Sequence, residues 1–205
     1  MALCNHFSPT ANVEVVIWHI EESEELLCSL IPPFLMCSYE IPLREMKSPK
    51  RRSEWIGARV LLHSVLNIQS PIHYNESGRP EVEGCIISIS HTGKYVALAL
   101  SKNHEIGVDI EQYGSKVMRV IDRFVAPSES LGSEMTCNYA LFLWTVKEAV
   151  YKLGNIGPNL RDEIFVPPIL LKNKGKALAV VPQLEASYEV YYMKSEEFFL
   201  SLAWK

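Results

Sequence analysis

The order of its predicted elements places this chain in the α+β class, as two comparable lobes. Twice along the chain a predicted helix is followed by predicted antiparallel strands, and the two series meet near residues 112–115. The 205 residues are 48% hydrophobic, which is enough to bury a core in one large domain or two small lobes. We expect an N-terminal lobe over residues 1–112 and a C-terminal lobe over residues 113–205, each a helix packed on a mostly antiparallel sheet.

The overall composition argues against several classes of protein. The net charge is −4, which disfavours a general nucleic-acid binder because phosphate neutralisation requires a basic surface. Charged residues make up 21% of the chain, which argues against an intrinsically disordered protein. Five cysteines lack C-x-x-C spacing, which favours reduced thiols. Since we find no signal pattern and no apolar run long enough for a membrane span, we expect a soluble cytoplasmic protein.

Strand and helix signals alternate in the first half. Residues 12–20 are rich in β-branched side chains, which predicts a strand. A short helix is predicted over 21–31, where Pro32 and Pro33 stop it, and a longer helix is predicted over 48–67.

A turn-rich connector over 75–84 leads into a predicted β meander. Apolar residues alternate or cluster at 85–90, 95–101 and 106–111, and the turns “HTGK” and “KNHE” separate these runs. We therefore expect three consecutive strands that pair in sequence order.

The second half is predicted to begin with an amphipathic helix over 115–125. The main helix is predicted over 138–155, with Gly154 and Asn155 as stop signals, and the last quarter of the chain reads as strands. The outer face of the first of these helices carries a basic stripe of three residues, Lys116, Arg119 and Arg123.

The main helix carries an acid among apolar side chains. Apolar or aromatic residues surround this helix nearly completely, which implies burial on both faces. Glu148 then lies at an interior junction, and a buried carboxylate is costly unless it is paired or bound to a cation. Lys152, one turn later, is the obvious local partner, and an ordinary i,i+4 salt bridge is the simplest explanation.

A second group of acids makes a functional role for Glu148 a stronger alternative to the ordinary salt bridge. The run “IGVDIE” contains Asp109 and Glu111, which are two residues apart and therefore share one face of the strand. Two neighbouring carboxylates repel each other, and Mg²⁺, which prefers hard oxygen ligands, would relieve the repulsion. If the main helix packs so that Glu148 meets this face, the three acids make an Mg²⁺ site.

These two motifs resemble those of a known enzyme family. “IGVDIE” followed by “LWTVKEAVYK” resembles the two signature motifs of the 4′-phosphopantetheinyl transferases. “GRP” at 78–80 and “SISHTGKYVALAL” at 88–100 also resemble segments of that family, and “RRSEWIGARVLL” is a looser match. The length and the doubled element order resemble the surfactin-synthetase-activating subclass, in which one chain forms a pseudo-dimer of two α+β lobes with the active site in the cleft between them.

The resemblance implies an activity and its participants. Coenzyme A would donate its 4′-phosphopantetheine arm to a serine of an apo acyl or peptidyl carrier protein, with Mg²⁺. The products would be the holo carrier protein and adenosine 3′,5′-bisphosphate, as in a holo-[acyl-carrier-protein] synthase. We expect a monomer, because both lobes would lie in one chain.

The resemblance also implies roles for individual residues. Glu148 would be the base that deprotonates the carrier serine, directly or through water, and Lys152 would steady the α-phosphate or the leaving group. The metal ligands would be Asp109, Glu111 and Glu148. The residues that bind coenzyme A would be Arg59, Arg79, Ser90, His91, Asp109 and Lys152, with Arg79, Ser90 and His91 at the 3′-phosphate and Arg59 in the same region.

The basic stripe has two explanations. A run of charges on one helix face is usually solvated. It could instead dock the carrier protein, because carriers of this kind are typically acidic and complementary charge steers the encounter.

Two other functions would use the same acids. A Mg²⁺-dependent hydrolase of a nucleotide pyrophosphate would employ water in place of the serine, although the chain lacks the P-loop pattern G-x-x-x-x-G-K-S/T. A non-catalytic coenzyme A-binding module would keep the acids in salt bridges, and Glu148→Gln would then be neutral or stabilising.

Overall fold

Two compact units divide the chain, Met1–Asn103 and His104–Lys205. The computed structural model describes residues 3–114, 116–130, 135–154, 156–157 and 159–205. Helices combine with antiparallel sheets, so the predicted α+β class is confirmed. We predict the boundary between residues 112 and 113 from sequence; in the structure the strand over 106–112 belongs to the second unit.

The first unit contains an antiparallel sheet with the strand order β1-β2-β6-β5, and a small hairpin that pairs β3 with β4. The strands are β1 (Leu3–Thr10), β2 (Val13–His19), β3 (His73–Tyr74), β4 (Pro80–Glu81), β5 (Ile86–Thr92) and β6 (Tyr95–Ser101). The helices are α1 (Glu24–Ser29), α2 (Pro33–Glu45) and α3 (Pro49–Val60), and α3 continues as a π-helical turn over Leu61–Val65.

Helix α3 covers the sheet of the first unit and contacts β6. The core between them includes Trp18, Ile56 and Leu98, which are fully buried. Ser48 caps the helix, because its Oγ accepts a hydrogen bond from the Arg51 backbone N–H at 3.4 Å, and Pro49 follows at the first helical position.

The second unit contains an antiparallel sheet with the strand order β7-β10-β9-β8. The strands are β7 (Ile106–Gln112), β8 (Lys174–Val181), β9 (Ala186–Lys194) and β10 (Phe198–Trp204). The helices are α4 (Lys116–Arg119), α5 (Cys137–Tyr151) and α6 (Leu160–Glu163).

Helix α5 is the main helix of the second unit and packs against β7 and β10. Its core-facing Phe142 lies edge-on to Tyr192, with ring centroids 5.3 Å apart, and also contacts Phe199. Nearly every residue from Tyr139 to Val150 is buried, which agrees with the apolar pattern around the helix. The predicted end at Asn155 lies outside the described residues.

The predicted meander is only partly present. Strands β5 and β6 pair as expected, but β7 pairs with β10, because residues Ile106–Gln112 run antiparallel to Phe198–Trp204 through their whole length. An alternating apolar pattern identifies a strand but does not show which other strand pairs with it.

Two other predicted elements differ in their bounds. The helix predicted over 115–125 is the short α4 followed by a 3-10 turn over Ile121–Arg123, while Ser115 lies outside the described residues. Pro32 and Pro33 do end the first helical segment, but they also begin α2, since proline is favoured at the first position of a helix.

Among the described residues, no helix is long and apolar enough to cross a lipid bilayer.

Candidate functional site

Strand β7 and the last turn of α5 approach each other closely at a glycine. A Cβ on Gly107 would overlap the carbonyl oxygen of Ala149 and would lie 3.1 Å from the Cβ of Lys152. The absence of a side chain therefore lets the helix backbone lie directly on the strand. Because Gly107, Asp109 and Glu111 share one face of β7, this approach brings that acidic face toward α5.

Lys152 forms an ion pair with the strand. Its Nζ donates to Oδ1 of Asp109 at 2.8 Å and to the backbone carbonyl of Val108 at 2.9 Å. The sequence favours Glu148 as the partner of Lys152, since it lies one turn away on the same helix. The structure instead pairs the lysine with an acid that is distant in sequence and 5% exposed.

Glu148 lies close enough to these charges for them to shift its pKa. Burial, together with the negative charges of Asp109 and Glu111, raises the pKa of Glu148 from its usual value of 4.5 to about 7, and burial is the largest cause. The positive charge of Lys152 acts in the opposite direction. A carboxylate with a pKa near neutrality can both accept and return a proton at physiological pH.

The other polar residues of “LWTVKEAVYK” anchor α5. Trp144 packs edge-on against Phe124, with ring centroids 5.1 Å apart. The Oγ1 of Thr145 lies 2.8 Å from the Oγ of Ser201 in β10, and both hydroxyls are buried. These contacts fix the rotation of α5 about its axis and therefore the direction in which Glu148 and Lys152 point.

Lys147 is a structural residue inside the second unit. Its side chain is fully buried, and its Nζ donates to Oε2 of Glu129 at 2.8 Å and to the carbonyls of Phe124 at 2.7 Å and Leu160 at 3.0 Å. Burial lowers the pKa of Lys147, while the Glu129 carboxylate opposes that shift. The three acceptors around this ammonium join two loops to the helix. Removing one member of the Lys147–Glu129 pair would leave the other as a buried charge without a partner.

Nothing in the local sequence around Glu129 distinguishes it from an ordinary surface glutamate. Its carboxylate accepts hydrogen bonds from the backbone N–H groups of Ala126 and Val166, each at 2.8 Å, in addition to the one from Lys147. Only the tertiary contacts show that it neutralises a buried lysine.

The acids of this cluster suit a hard divalent cation in their chemistry. Asp109, Glu111 and Glu148 supply carboxylate oxygens, which Mg²⁺ prefers, and the charges of the first two both act on the third. In the described part of the chain, however, no three His, Cys, Asp or Glu side chains are already arranged to hold a metal ion. The positive charge beside Asp109 is supplied by Lys152.

The residues expected at the 3′-phosphate lie in the first unit. Ser90 and His91 are consecutive on β5, where they pair with Ala97 and Val96 of β6. Ser90 is 7% exposed, whereas the His91 side chain is 51% exposed. Arg79 directly precedes β4, which contacts β5, the strand that carries Ser90 and His91.

Arg59 lies in the core of the first unit rather than at its surface. The side chain is 1% exposed, and its guanidinium stacks on Trp55 at 3.0 Å from the ring centroid and lies 4.8 Å from that of Tyr39. Nη1 donates to the Trp55 carbonyl at 2.9 Å. Burial lowers the pKa of Arg59. A ligand would reach this side chain only after the aromatic rings moved.

The three residues of the basic stripe are exposed, as predicted from the outer face of an amphipathic helix. The apolar residues of the segment, Val117 and Phe124, are buried. The apolar side chains of this segment therefore face inward and the basic ones face outward, as expected, although the helix is interrupted after Arg119.

The chain is 34% identical to the 4′-phosphopantetheinyl transferase AcpT of Salmonella typhi in an alignment of 117 residues that covers 50% of this chain and 58% of the relative. It is 30% identical to the AcpT of Escherichia coli K12, over 57% of that protein, and 25% identical to a 4′-phosphopantetheinyl transferase of Bacillus subtilis, over 59% of that protein. No family model matches the chain.

Half of this chain is similar to 4′-phosphopantetheinyl transferases. The chain spans a little over half the length of the relatives that it matches. The similarity supports the resemblance to that superfamily and leaves the surfactin-synthetase-activating subtype as a prediction.

Proposed function

We propose that this chain is a Mg²⁺-dependent 4′-phosphopantetheinyl transferase. It would move the 4′-phosphopantetheine arm of coenzyme A to a serine hydroxyl of an apo carrier protein and release adenosine 3′,5′-bisphosphate. The observation that carries the proposal is the cluster on β7 and α5, in which Lys152 bonds to Asp109 at 2.8 Å and the pKa of Glu148 is about 7.

Glu148 is the proposed general base. The serine hydroxyl must lose its proton as its oxygen bonds to phosphorus, and a carboxylate with a pKa of about 7 can take that proton near neutral pH. The Lys152 ammonium would steady the α-phosphate or the leaving group, because it already places a positive charge beside the acids.

Asp109, Glu111 and Glu148 are the proposed ligands of Mg²⁺. When bound, the ion would neutralise the charge on the pyrophosphate oxygens. The chain's own contribution is to hold the carboxylates on one strand face and one helix turn, a geometry that Gly107 makes sterically possible.

Ser90, His91 and Arg79 of the first unit are proposed to bind the 3′-phosphate of coenzyme A. His91 is exposed, and hydroxyl, imidazolium and guanidinium groups all donate hydrogen bonds to phosphate oxygens. Arg59 remains a weaker candidate for the same region because aromatic side chains bury it. We further propose a cytoplasmic monomer of the surfactin-synthetase-activating, pseudo-dimeric type.

Intact-mass spectrometry of a carrier protein tests this proposal. An apo acyl carrier protein is incubated with the chain, Mg²⁺ and coenzyme A, and a parallel sample contains EDTA. We expect a mass gain equal to one phosphopantetheine with Mg²⁺ and none with EDTA. A panel of fatty-acid, polyketide and nonribosomal-peptide carriers would identify the acceptor.

The alternatives give different results in the same experiment. A pyrophosphate hydrolase would cleave coenzyme A without any carrier and leave the carrier mass unchanged. A non-catalytic module would bind coenzyme A and leave both it and the carrier intact. Either result would contradict the proposed transfer.

A further inference from the structure

A buried carboxylate of α3 contacts His91. Oε2 of Glu54 lies 3.3 Å from Nδ1 of His91, and Oε1 lies 3.6 Å from Nζ of Lys50, one turn earlier. The Glu54 residue is only 7% exposed, whereas both members of the ordinary surface pair Arg44–Glu40 are more than half exposed. The burial distinguishes Glu54 from a solvated i,i+4 pair, because burying a carboxylate is costly unless it has charged partners.

The packing of α3 on the sheet places Glu54 beside His91. A Cβ on Gly57 would lie 2.5 Å from the Cδ1 of Ile20 and 3.5 Å from the Cγ2 of Val96, so the helix approaches β6 closely at this glycine. Val96 is the residue of β6 that pairs with His91 on β5. Glu54, three residues before Gly57, therefore projects from the adjoining turn of the helix toward the end of β5.

The contact restricts how His91 can face a ligand. Its Nδ1 lies 3.3 Å from Oε2 of Glu54 in an ion-pair contact, and the other ring nitrogen, Nε2, lies on a different side of the ring. The side chain is 51% exposed, so Nε2 can meet a ligand from solvent. A carboxylate beside one nitrogen of a histidine favours one orientation of the ring, as it does for histidines that bind metals.

We propose that Glu54 is a positioning residue that holds the His91 imidazole for the 3′-phosphate of coenzyme A. This inference rests on the proposed function, in which His91 binds that phosphate. Glu54 acts through His91 and does not itself contact the phosphate. The ammonium of Lys50, 3.6 Å from Oε1, supplies a positive charge beside Glu54.

The test compares the dissociation constants of coenzyme A and 3′-dephospho-coenzyme A by isothermal titration calorimetry. In Glu54→Ala we expect coenzyme A binding to weaken about tenfold, the usual effect of losing one charge-assisted contact, with dephospho-coenzyme A binding unchanged. In Glu54→Gln we expect only about a threefold loss, because the amide oxygen keeps a polar acceptor beside Nδ1 and only the charge is removed. Glu54→Ala should add no further loss to His91→Ala, since coupled residues are non-additive.

Glu24→Gln is the matched control. Glu24 accepts from Nε of Arg52 at 2.8 Å and so joins α1 to α3 without contacting His91. This variant should weaken the packing of α3 and leave the preference for coenzyme A unchanged. Thermal unfolding of every variant reports folding, and Glu54→Gln carries the test if Glu54→Ala does not fold.

Several results would overturn the inference. The first is a Glu54 variant that binds coenzyme A as tightly as the wild type, or more tightly. The second is an equal loss for both ligands, which would indicate a purely structural role. If the wild type shows no preference for coenzyme A over its dephospho form, the assignment of the 3′-phosphate to this site is itself wrong. If His91→Ala loses that preference but Glu54→Ala keeps it, only the role of Glu54 is contradicted.

Discussion

At the scale of single residues, Glu148 is held where the protonated carboxyl is favoured. Its pKa of about 7 has burial as the largest cause and the charges of Asp109 and Glu111 as further causes. Burial here works against folding at high pH and, in the proposed mechanism, provides a base that titrates near neutrality. A protein is often more stable when a functional residue of this kind is replaced.

The shifted pKa predicts a pH-dependent difference in stability. Below its usual pKa of 4.5 Glu148 is protonated in both the folded and unfolded states, and between that value and about 7 the folded state binds the proton more tightly. This contribution to the free energy of unfolding is therefore lost as pH rises through 7. After allowance for partial exposure, we expect Glu148→Gln to gain about 1–2 kcal/mol relative to wild type between pH 5 and pH 8.

Urea unfolding in EDTA at the two pH values measures that difference. Glu189→Gln, which changes an exposed glutamate of β9 paired with Lys176, is the control and should follow the wild type at both pH values. Parallel pH profiles for Glu148→Gln and the wild type would contradict the shifted pKa.

Sequence could predict the acids of the site but not all of their partners. The two-residue period of a strand places Asp109 and Glu111 on one face, and the apolar surroundings of Glu148 mark it as unusual. Lys152 bonds to Asp109 rather than to the local Glu148, because the approach of β7 to α5 is a tertiary contact that helix spacing cannot show. For the same reason the partner of Lys147 was not predicted.

At the scale of elements, the contact between β7 and α5 depends on Gly107. A methyl group there would overlap the backbone carbonyl of Ala149, and a backbone atom cannot rotate away as a side chain can. The two elements that carry the acids and the lysine would have to separate.

Gly107→Ala should therefore reduce both stability and activity. We expect a loss of about 1–3 kcal/mol in the free energy of unfolding, as for other overpacked sites. We also expect a fall of about a hundredfold in transfer rate, because small misplacements of catalytic groups are costly. Gly114→Ala is the control, since a Cβ on Gly114 meets no atom of the described residues within 4 Å. Wild-type activity in Gly107→Ala would contradict this account of the β7–α5 contact.

Element boundaries were less predictable than element types. Pro32 and Pro33 read as a stop, yet they also start α2, because proline lacks only an N–H that the first turn of a helix leaves unpaired anyway. Strand β7 was recognised, but its pairing with β10 joins segments that are far apart in sequence. Local patterns carry no information about such pairings.

At the scale of the whole molecule, the two units carry different parts of the proposed chemistry. The second unit holds the acids, Lys152 and the basic stripe, and the first holds Ser90, His91 and Glu54. The chain is acidic overall, with a net charge of −4, so attraction of an acidic carrier would have to come from a local basic surface.

Charge reversal in the basic stripe tests carrier docking. The double variant Arg119→Glu and Arg123→Glu should raise the KM for the carrier about tenfold and leave the KM for coenzyme A unchanged, because only the encounter with the carrier loses complementary charge. Arg44→Glu, at an exposed position of α2 in the first unit, is the control for a charge reversal outside the stripe. An unchanged carrier KM in the double variant would contradict docking at this stripe.

The most direct test of the central claim is the transfer rate of Glu148→Gln. Holo-carrier formation is followed by intact-mass spectrometry with saturating Mg²⁺ and coenzyme A, and Glu189→Gln serves as the control. We predict that Glu148→Gln folds but loses transfer by about a hundredfold or more, the usual contribution of a general base. Transfer at the wild-type rate by folded Glu148→Gln would contradict the assignment of the β7–α5 cluster as the catalytic site.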